Sequence, residues 1–242
     1  MIITGISRYG EKASQKRPRY KIEVDGEYWY ILSDVLIADF HLRKGMEVDE
    51  AFLQKVREAA DYRKGRERAF YLLEEREHTK DELTRKLARS VGFETAGKIA
   101  GEMESLGLIR EDAYAARYAQ YLSETRRYGR RRIVQEMMKK GFSRDTIDGA
   151  LTGIETDEDA LEALAFKKYG RTLRAELEAG EEAEPSGFNR GGFTRAENRA
   201  IQGLMRLGHG FSEARAAVEA VEEAIREEME EEIGRASCRE RV

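Results

Sequence analysis

Apolar residues recur at helical spacing along most of this chain, in three similar passages. Leu83/Leu87, Ile133/Met137 and Ile201/Met205 stand four apart ahead of three Gly-Phe pairs, Gly92-Phe93, Gly141-Phe142 and Gly210-Phe211. Behind the pairs come Ile99/Met103/Leu106, Ile147/Leu151/Ile154 and Val218/Val221. Spacings of three and four put such residues on one helix face. Each passage therefore reads as a helix, a second helix, a Gly-Phe break and a third helix. The breaks lie 49 and 69 residues apart, the longer interval holding an extra polar stretch. A period of this size predicts stacked helical units, each unable to bury its apolar face alone. The fold class expected is mainly α, with three tandem three-helix repeats.

Local signals agree with the periodicity. Thr79-Lys-Asp-Glu82 and Thr194-Arg-Ala-Glu197 are capping boxes at matching points of the first and third units. Ser143 and Ser212 follow Phe142 and Phe211, so each is expected to cap a third helix. The glycine before each Phe is expected to end the second helix in a left-handed conformation, and Phe142 to staple onto Ile147. The first 48 residues differ. Ile2–Ile6, Tyr20–Val24 and Tyr28–Leu32 read as strands, and Asp25-Gly26 between the last two is a strong hairpin signal because both turn positions need positive φ. Gly10–Arg17 reads as a flexible connection within this small sheet, and Ser33-Asp34 as the start of a short helix that Leu42–Gly45 closes.

These readings divide the chain into a β-rich segment at 1–48 and helical units at 49–109, 110–155 and 156–232. The third unit carries an acidic loop at about 176–192 between its first and second helices, and residues 222–232 extend its last helix. Ile233–Val242 resembles the translation of sequencing-adapter read-through and is read as an adapter-derived tail. It holds Cys238, the single cysteine, so no intramolecular disulfide can form and a reducing, cytoplasmic setting is expected. No apolar run is long enough to span a membrane. The start lacks a basic segment followed by an apolar core, so no signal peptide is expected. A net charge of −4 does not by itself predict a nucleic-acid partner.

No phosphate-binding loop, dinucleotide glycine pattern, H-E-x-x-H or G-x-S-x-G elbow is present. The expectation is a non-enzyme without cofactor or metal. His41, His78 and His209 read as surface or turn residues, and Tyr114, Tyr118 and Tyr121, at helical spacing, as packing. One signal stands apart. Arg126, Arg127, Arg130, Arg131, Arg132, Lys139 and Lys140 fall within fifteen residues, opposed only by Glu136. With about 100° per residue, Ile133, Val134, Met137 and Met138 share one face of a helix starting near Arg130, while Arg132 and Lys139 point the opposite way. The cluster reads either as a solvated face, with Glu136 pairing to Arg132 and Lys140, or as a contact for an acidic protein surface or phosphate backbone. Residues 176–232 carry fifteen Glu against six Arg, so the chain is basic in the middle and acidic towards its end.

Tyr71–Leu87, Leu106–Tyr118 and Tyr128–Phe142 together resemble the RecX family of bacterial recombination regulators, and Leu204–Phe211 resembles that family's last unit. Asp25–Tyr28 and Leu42–Gly45 resemble the β-rich extension of its longer members. The resemblance implies an elongated, curved helical body. It also implies a monomeric regulator that binds the RecA–DNA filament and restrains RecA's ATP hydrolysis, strand exchange and stimulated repressor cleavage. The basic cluster is then the candidate partner-binding surface, facing RecA or, weakly, DNA. The alternative from another class is a helical-repeat nucleic-acid binder that acts without RecA.

Overall fold

A computed structural model describes residues 1–10, 18–154, 157–179 and 192–239, with side chains through residue 232. The chain forms two compact units, residues 1–110 and 111–242.

The first unit opens with an antiparallel sheet of β1 (Ile3–Arg8), β2 (Arg19–Val24) and β3 (Glu27–Ser33), in that order. Asp25 and Gly26 take φ of 51° and 87°, as a tight hairpin demands. Asp25 also accepts the Ile2 amide at 2.7 Å, which ties the turn to β1. Residues 11–17, most of the expected flexible connection, lie outside the described residues. The hairpin register shifts between Ile22 and Glu23, leaving Trp29 as the extra residue of a bulge. Ser33 caps α1 (Asp34–Asp39), its Oγ accepting from the Leu36 amide at 3.4 Å. That helix ends at Asp39, earlier than expected, because His41 turns to a φ of 51° and the chain runs back to bond β1, Gly45 N to Ile3 O at 2.8 Å.

Helix α2 (Glu50–Glu75) is capped by Asp49 and serves two cores. Leu53, Val56 and Ala60 pack with Ile3, Ile22 and Leu32 of the sheet. Ala69 and Leu72 pack with Leu83 and Leu87 of α3 (Lys80–Val91) and with Ile99 and Met103 of α4 (Phe93–Ser105). Gly65 sits where α2 meets the other two. A Cβ there would lie 2.5 Å from Ile99 Cδ1, so a larger residue would force the buried Ile99 side chain to shift.

The second unit holds two further bundles. Ala115, Ala119 and Leu122 of α5 (Glu111–Glu124) bury against Ile133 and Met137 of α6 (Arg130–Lys140) and Ile147 and Leu151 of α7 (Arg144–Leu151). Leu161, Ala165 and Leu173 of α8 (Glu158–Ala179) bury against Ile201 and Leu204 of α9 (Arg195–Arg206) and Val218 and Val221 of α10 (Phe211–Arg239). Helix α8 extends through Ala179, four residues into the stretch expected to be a loop. Residues 180–191 lie outside the described residues, as do the side chains of the adapter-like tail.

The three Gly-Phe breaks are not equivalent. Gly141 is left-handed (φ 95°, ψ 19°), Ser143 caps α7, and Phe142 is buried in the cluster that holds Ile147. Gly92 has φ 79° but ψ 160°, and Phe93, first residue of α4, is 71% exposed. In the third passage the positive φ, 96°, falls on Gly208 and not on Gly210, which corrects the expectation. Ser212 lies inside α10 and does not cap it; the Gly210 amide donates to the Glu213 carboxylate at 2.8 Å. Thr194 forms the complete reciprocal box, with Oγ1 accepting from Glu197 N at 3.2 Å and its own amide donating to Glu197 at 2.6 Å.

Candidate interaction surface

The seven cations around α6 divide by what surrounds them. Helix α6 buries Ile133 and Met137, leaves Val134 half-buried, and leaves Met138 exposed, so the apolar face is narrower than the spacing predicts. Arg132 and Lys139 both reach Glu136, at 3.0 and 3.1 Å. The Lys139 ammonium and, after it, Arg132 hold the Glu136 carboxyl below the usual range. Lys140 lies over the rings of Tyr118 and Tyr114, at 5.1 and 5.8 Å. Arg126 donates to Tyr121 Oη at 3.0 Å and lies over the same ring. Arg130 and Arg131 occupy the first turn of α6, both exposed, with Arg130 donating to the Leu151 carbonyl at 3.3 Å. Arg127 takes a φ of 53° and stands 3.9 Å from Asp157.

Tyr114 and Tyr118 pack, as read from the sequence, while Tyr121 is 42% exposed, and the three also link the cations. Tyr114 and Tyr118 lie against Phe142, with centroids 5.2 and 6.2 Å apart, and Tyr118 stacks on Tyr121 at 6.4 Å. Burial raises the Tyr118 phenol above its ordinary range. Arg126, Tyr121, Tyr118 and Lys140 thus form a row of two stacked rings with a cation at each end.

The basic segment is pinned from behind by main-chain bonds. Gly129 N donates to Leu207 O at 3.0 Å, and Arg131 N to Gly208 O at 3.2 Å. The two backbones cross so closely that a Cβ on Gly129 would lie 2.3 Å from His209 N, and one on Gly208 2.4 Å from Arg132 N. His209 completes the crossing. Its Nε2 lies 3.1 Å from the Arg127 carbonyl, which can only accept, so that nitrogen carries the proton. His209 Nδ1 is buried with no partner among the described residues. His78 is likewise buried, between the Arg76 carbonyl and Lys86 Nζ, each 2.9 Å away. Only His41 of the three is the exposed turn residue expected. Beside the crossing, a cleft of about 190 Å³ is lined by Arg127, Arg130, Leu151, Leu161 and His209 among others.

Among the described residues no group of three His, Cys, Asp or Glu could hold a metal ion, and no helix is long and apolar enough to cross a membrane.

One comparison with known proteins falls on this region. Residues 111–151, helices α5 to α7, match the family pattern described as RecX, second three-helix domain. A regulatory protein RecX of Levilactobacillus brevis is 33% identical over 166 residues, 66% of this chain, and the chain spans 62% of that relative's length. The regulatory protein RecX of Lactobacillus delbrueckii subsp. bulgaricus is 28% identical over 245 residues, 100% of this chain and 81% of its own. A crystal structure of a regulatory protein RecX superposes with a TM-score of 0.56 at 25% identity, covering 92% of this chain and 98% of that one. The chain is thus similar to RecX proteins along its length. RecX from Lactobacillus salivarius shares the fold, at a TM-score of 0.53 over 67% of this chain and 97% of that one, with 19% identity.

A second group of cations escaped the sequence reading. Arg63, Lys64, Arg66 and Arg68 lie on α2, flanked by Tyr62 on one side and Phe70 and Tyr71 on the other. The signal was available: four cations in six residues, with aromatics on either side.

Proposed function

We propose that this chain binds the RecA–DNA filament and restrains RecA, lowering its ATP hydrolysis, strand exchange and stimulated repressor cleavage. Kinship with RecX proteins carries this reading. The geometry supports a particular surface for it: the basic end of α6 with the row from Arg126 to Lys140, held from behind by the Gly129–Gly208 crossing. An acidic protein surface or a phosphate backbone suits it. Several helical units on one chain allow several weak contacts to add through effective concentration. Cross-bridging neighbouring filament subunits would resist the movements that accompany ATP turnover.

The test is RecA ATPase on single-stranded DNA, titrated with this protein and with an Arg131→Glu/Lys139→Glu variant. Arg132 is a poor choice for reversal, because it braces Gly208 and Glu136. Arg131 and Lys139 are exposed and can be reversed without touching the core. Inhibition below equimolar amounts by the parent, and about tenfold weaker inhibition by the variant, is the expected result. Equal inhibition by both would leave the α6 surface a solvated face. Unchanged ATPase with tight, salt-sensitive DNA binding would favour a nucleic-acid binder acting without RecA.

A further inference from the structure

We propose that the outward face of α2 is a contact for single-stranded nucleic acid. It lies in the first unit, away in sequence from the α6 surface, and does not depend on the RecA reading.

The packing of α2 decides which of its residues face out. Gly65, Ala69 and Leu72 are buried, and Gly65 lies close against the side chains of Val91 and Ile99. At about 100° per residue, the remaining arc from Arg63 to Tyr71 carries Arg63, Lys64, Arg66, Arg68, Phe70 and Tyr71, with Glu67 as its one acid. Phe70 and Tyr71 are 39% and 49% exposed, large aromatic areas for a helix whose other side is already fully used. Each has a guanidinium against its ring: Arg66 lies 4.9 Å from the Phe70 centroid, and Arg68 4.9 Å from that of Tyr71.

Two depressions flank this arc and meet at Arg63 and Glu67. One is lined also by Tyr62, Arg66 and Phe70; the other reaches Lys64 and, from the sheet, Arg19, Tyr28 and Tyr30. Cations and aromatic rings line both depressions, while Tyr71 and Arg68 line neither and stand exposed on the same helix.

Charge alone would suit any polyanion. The exposed rings favour a strand of bases, since every base offers a π-face and stacking tolerates sequence. An acidic polypeptide could satisfy the cations but would leave the faces of Phe70 and Tyr71 unused. Affinity should be modest. Arg66 is already paired to Glu102 at 2.8 Å and Arg63 stands 3.7 Å from Glu67, so Lys64, Arg68 and Arg19 supply most of the uncompensated charge. Three phosphate contacts would give a slope of log K against log salt of about −2 for a single strand.

The experiment is fluorescence anisotropy of a labelled oligothymidylate with the full chain, across a salt series. Phe70→Ala/Tyr71→Ala should weaken binding about tenfold with the salt slope unchanged, as loss of stacking requires. Lys64→Glu/Arg68→Glu should weaken it and make the slope shallower by about 1.4. Tyr71→Trp, which keeps a stacking face, should bind like the parent. All four positions are exposed, and circular dichroism confirms that each variant folds. The proposal is overturned if the double alanine variant binds like the parent, or if a poly-glutamate peptide competes as well as the oligonucleotide. It is also overturned if Arg131→Glu/Lys139→Glu abolishes oligonucleotide binding while the α2 variants leave it intact.

Discussion

Gly129→Ala tests how the basic segment is held, and the sign of its effect is as informative as the size. Gly129 has φ −73° and ψ 163°, a conformation open to any residue, so alanine adds no backbone strain. If nothing crowded the site, the substitution would stabilise the protein by about 0.4–1 kcal/mol, by restricting the unfolded chain. The crossing reverses that expectation. The new Cβ would lie 2.3 Å from His209 N and 2.4 Å from Gly208 C, and backbone atoms cannot swing aside as a side-chain end could. Parting the strands puts the bonds Gly129 N to Leu207 O and Arg131 N to Gly208 O at risk, about 1 kcal/mol each. Overpacking adds about 1–3 kcal/mol. The expected local loss is therefore about 2–5 kcal/mol. Hydrogen exchange with peptide resolution reads it directly. The amides of Gly129 and Arg131 should exchange at least thirtyfold faster in the variant, since about 2 kcal/mol of opening free energy corresponds to that factor. Unchanged or slower exchange there would mean that the two backbones do not cross as described.

Three further substitutions probe other joints. Gly65→Ala should destabilise the first unit by about 1–3 kcal/mol in urea unfolding despite alanine's better helix propensity, because Ile99 Cδ1 and Val91 occupy the space; a stabilised variant would contradict the packing of α2. Thr194→Ala should cost about 1 kcal/mol and speed exchange at the start of α9, as its Oγ1 accepts from Glu197 N. Glu222, buried between α9 and α10, has its carboxyl pushed up to about 7, first by burial and then by the Glu197 carboxylate, with Glu176 adding and Arg226 opposing. The folded state thus binds a proton that the unfolded state, with an ordinary value near 4.5, gives up. The associated stability is present in full below about pH 4.5 and is lost as pH rises through about 7, a change of about 2–3 kcal/mol. Glu222→Gln, which keeps a donor towards Glu197, should be the more stable form at pH 8 and should lose this part of the pH dependence; identical pH profiles for parent and variant would contradict it.

The elements that the sequence revealed are those set by local chemistry. Asp25-Gly26 turns because both φ values must be positive, Thr194 caps because Glu197 stands three residues on, and the four-residue spacing of Ile133 and Met137 needs no neighbour to define a face. The errors share one cause, a choice made by residues distant in sequence. Gly-Phe stands at each of the three breaks, yet only Gly141 closes its helix in the left-handed region. In the third passage Gly208 takes the positive φ because it must pass Arg132, and nothing within 201–211 announces that contact. The same crossing explains why His209 is buried. Its ring serves the Arg127 carbonyl, 82 residues earlier, and no local pattern marks it.

The candidate surface shows the same boundary between local and tertiary information, with a consequence for its strength. Lys139 and Lys140 stand three and four residues after Glu136, so a single helix cannot say which of them pairs with it. Helix α5 decides: Tyr114 and Tyr118 offer ring faces to Lys140, and Lys139 takes the carboxylate. Counting cations along the chain therefore overstates the field that a partner meets. Arg132 and Lys139 share one carboxylate and Arg127 stands near another, and beyond about 10 Å such pairs largely cancel. What remains is concentrated at Arg126, Arg130 and Arg131, at the start of α6 and at one end of the tyrosine row. Rings beneath Arg126 and Lys140 screen nothing, since a π-face carries no net charge. They hold the cations in place, which reduces the side-chain entropy lost when a partner binds. If this surface meets the filament, Tyr121→Leu should weaken binding severalfold with all charges intact, measured by the same ATPase titration. A variant as inhibitory as the parent would show that charge acts there without the rings.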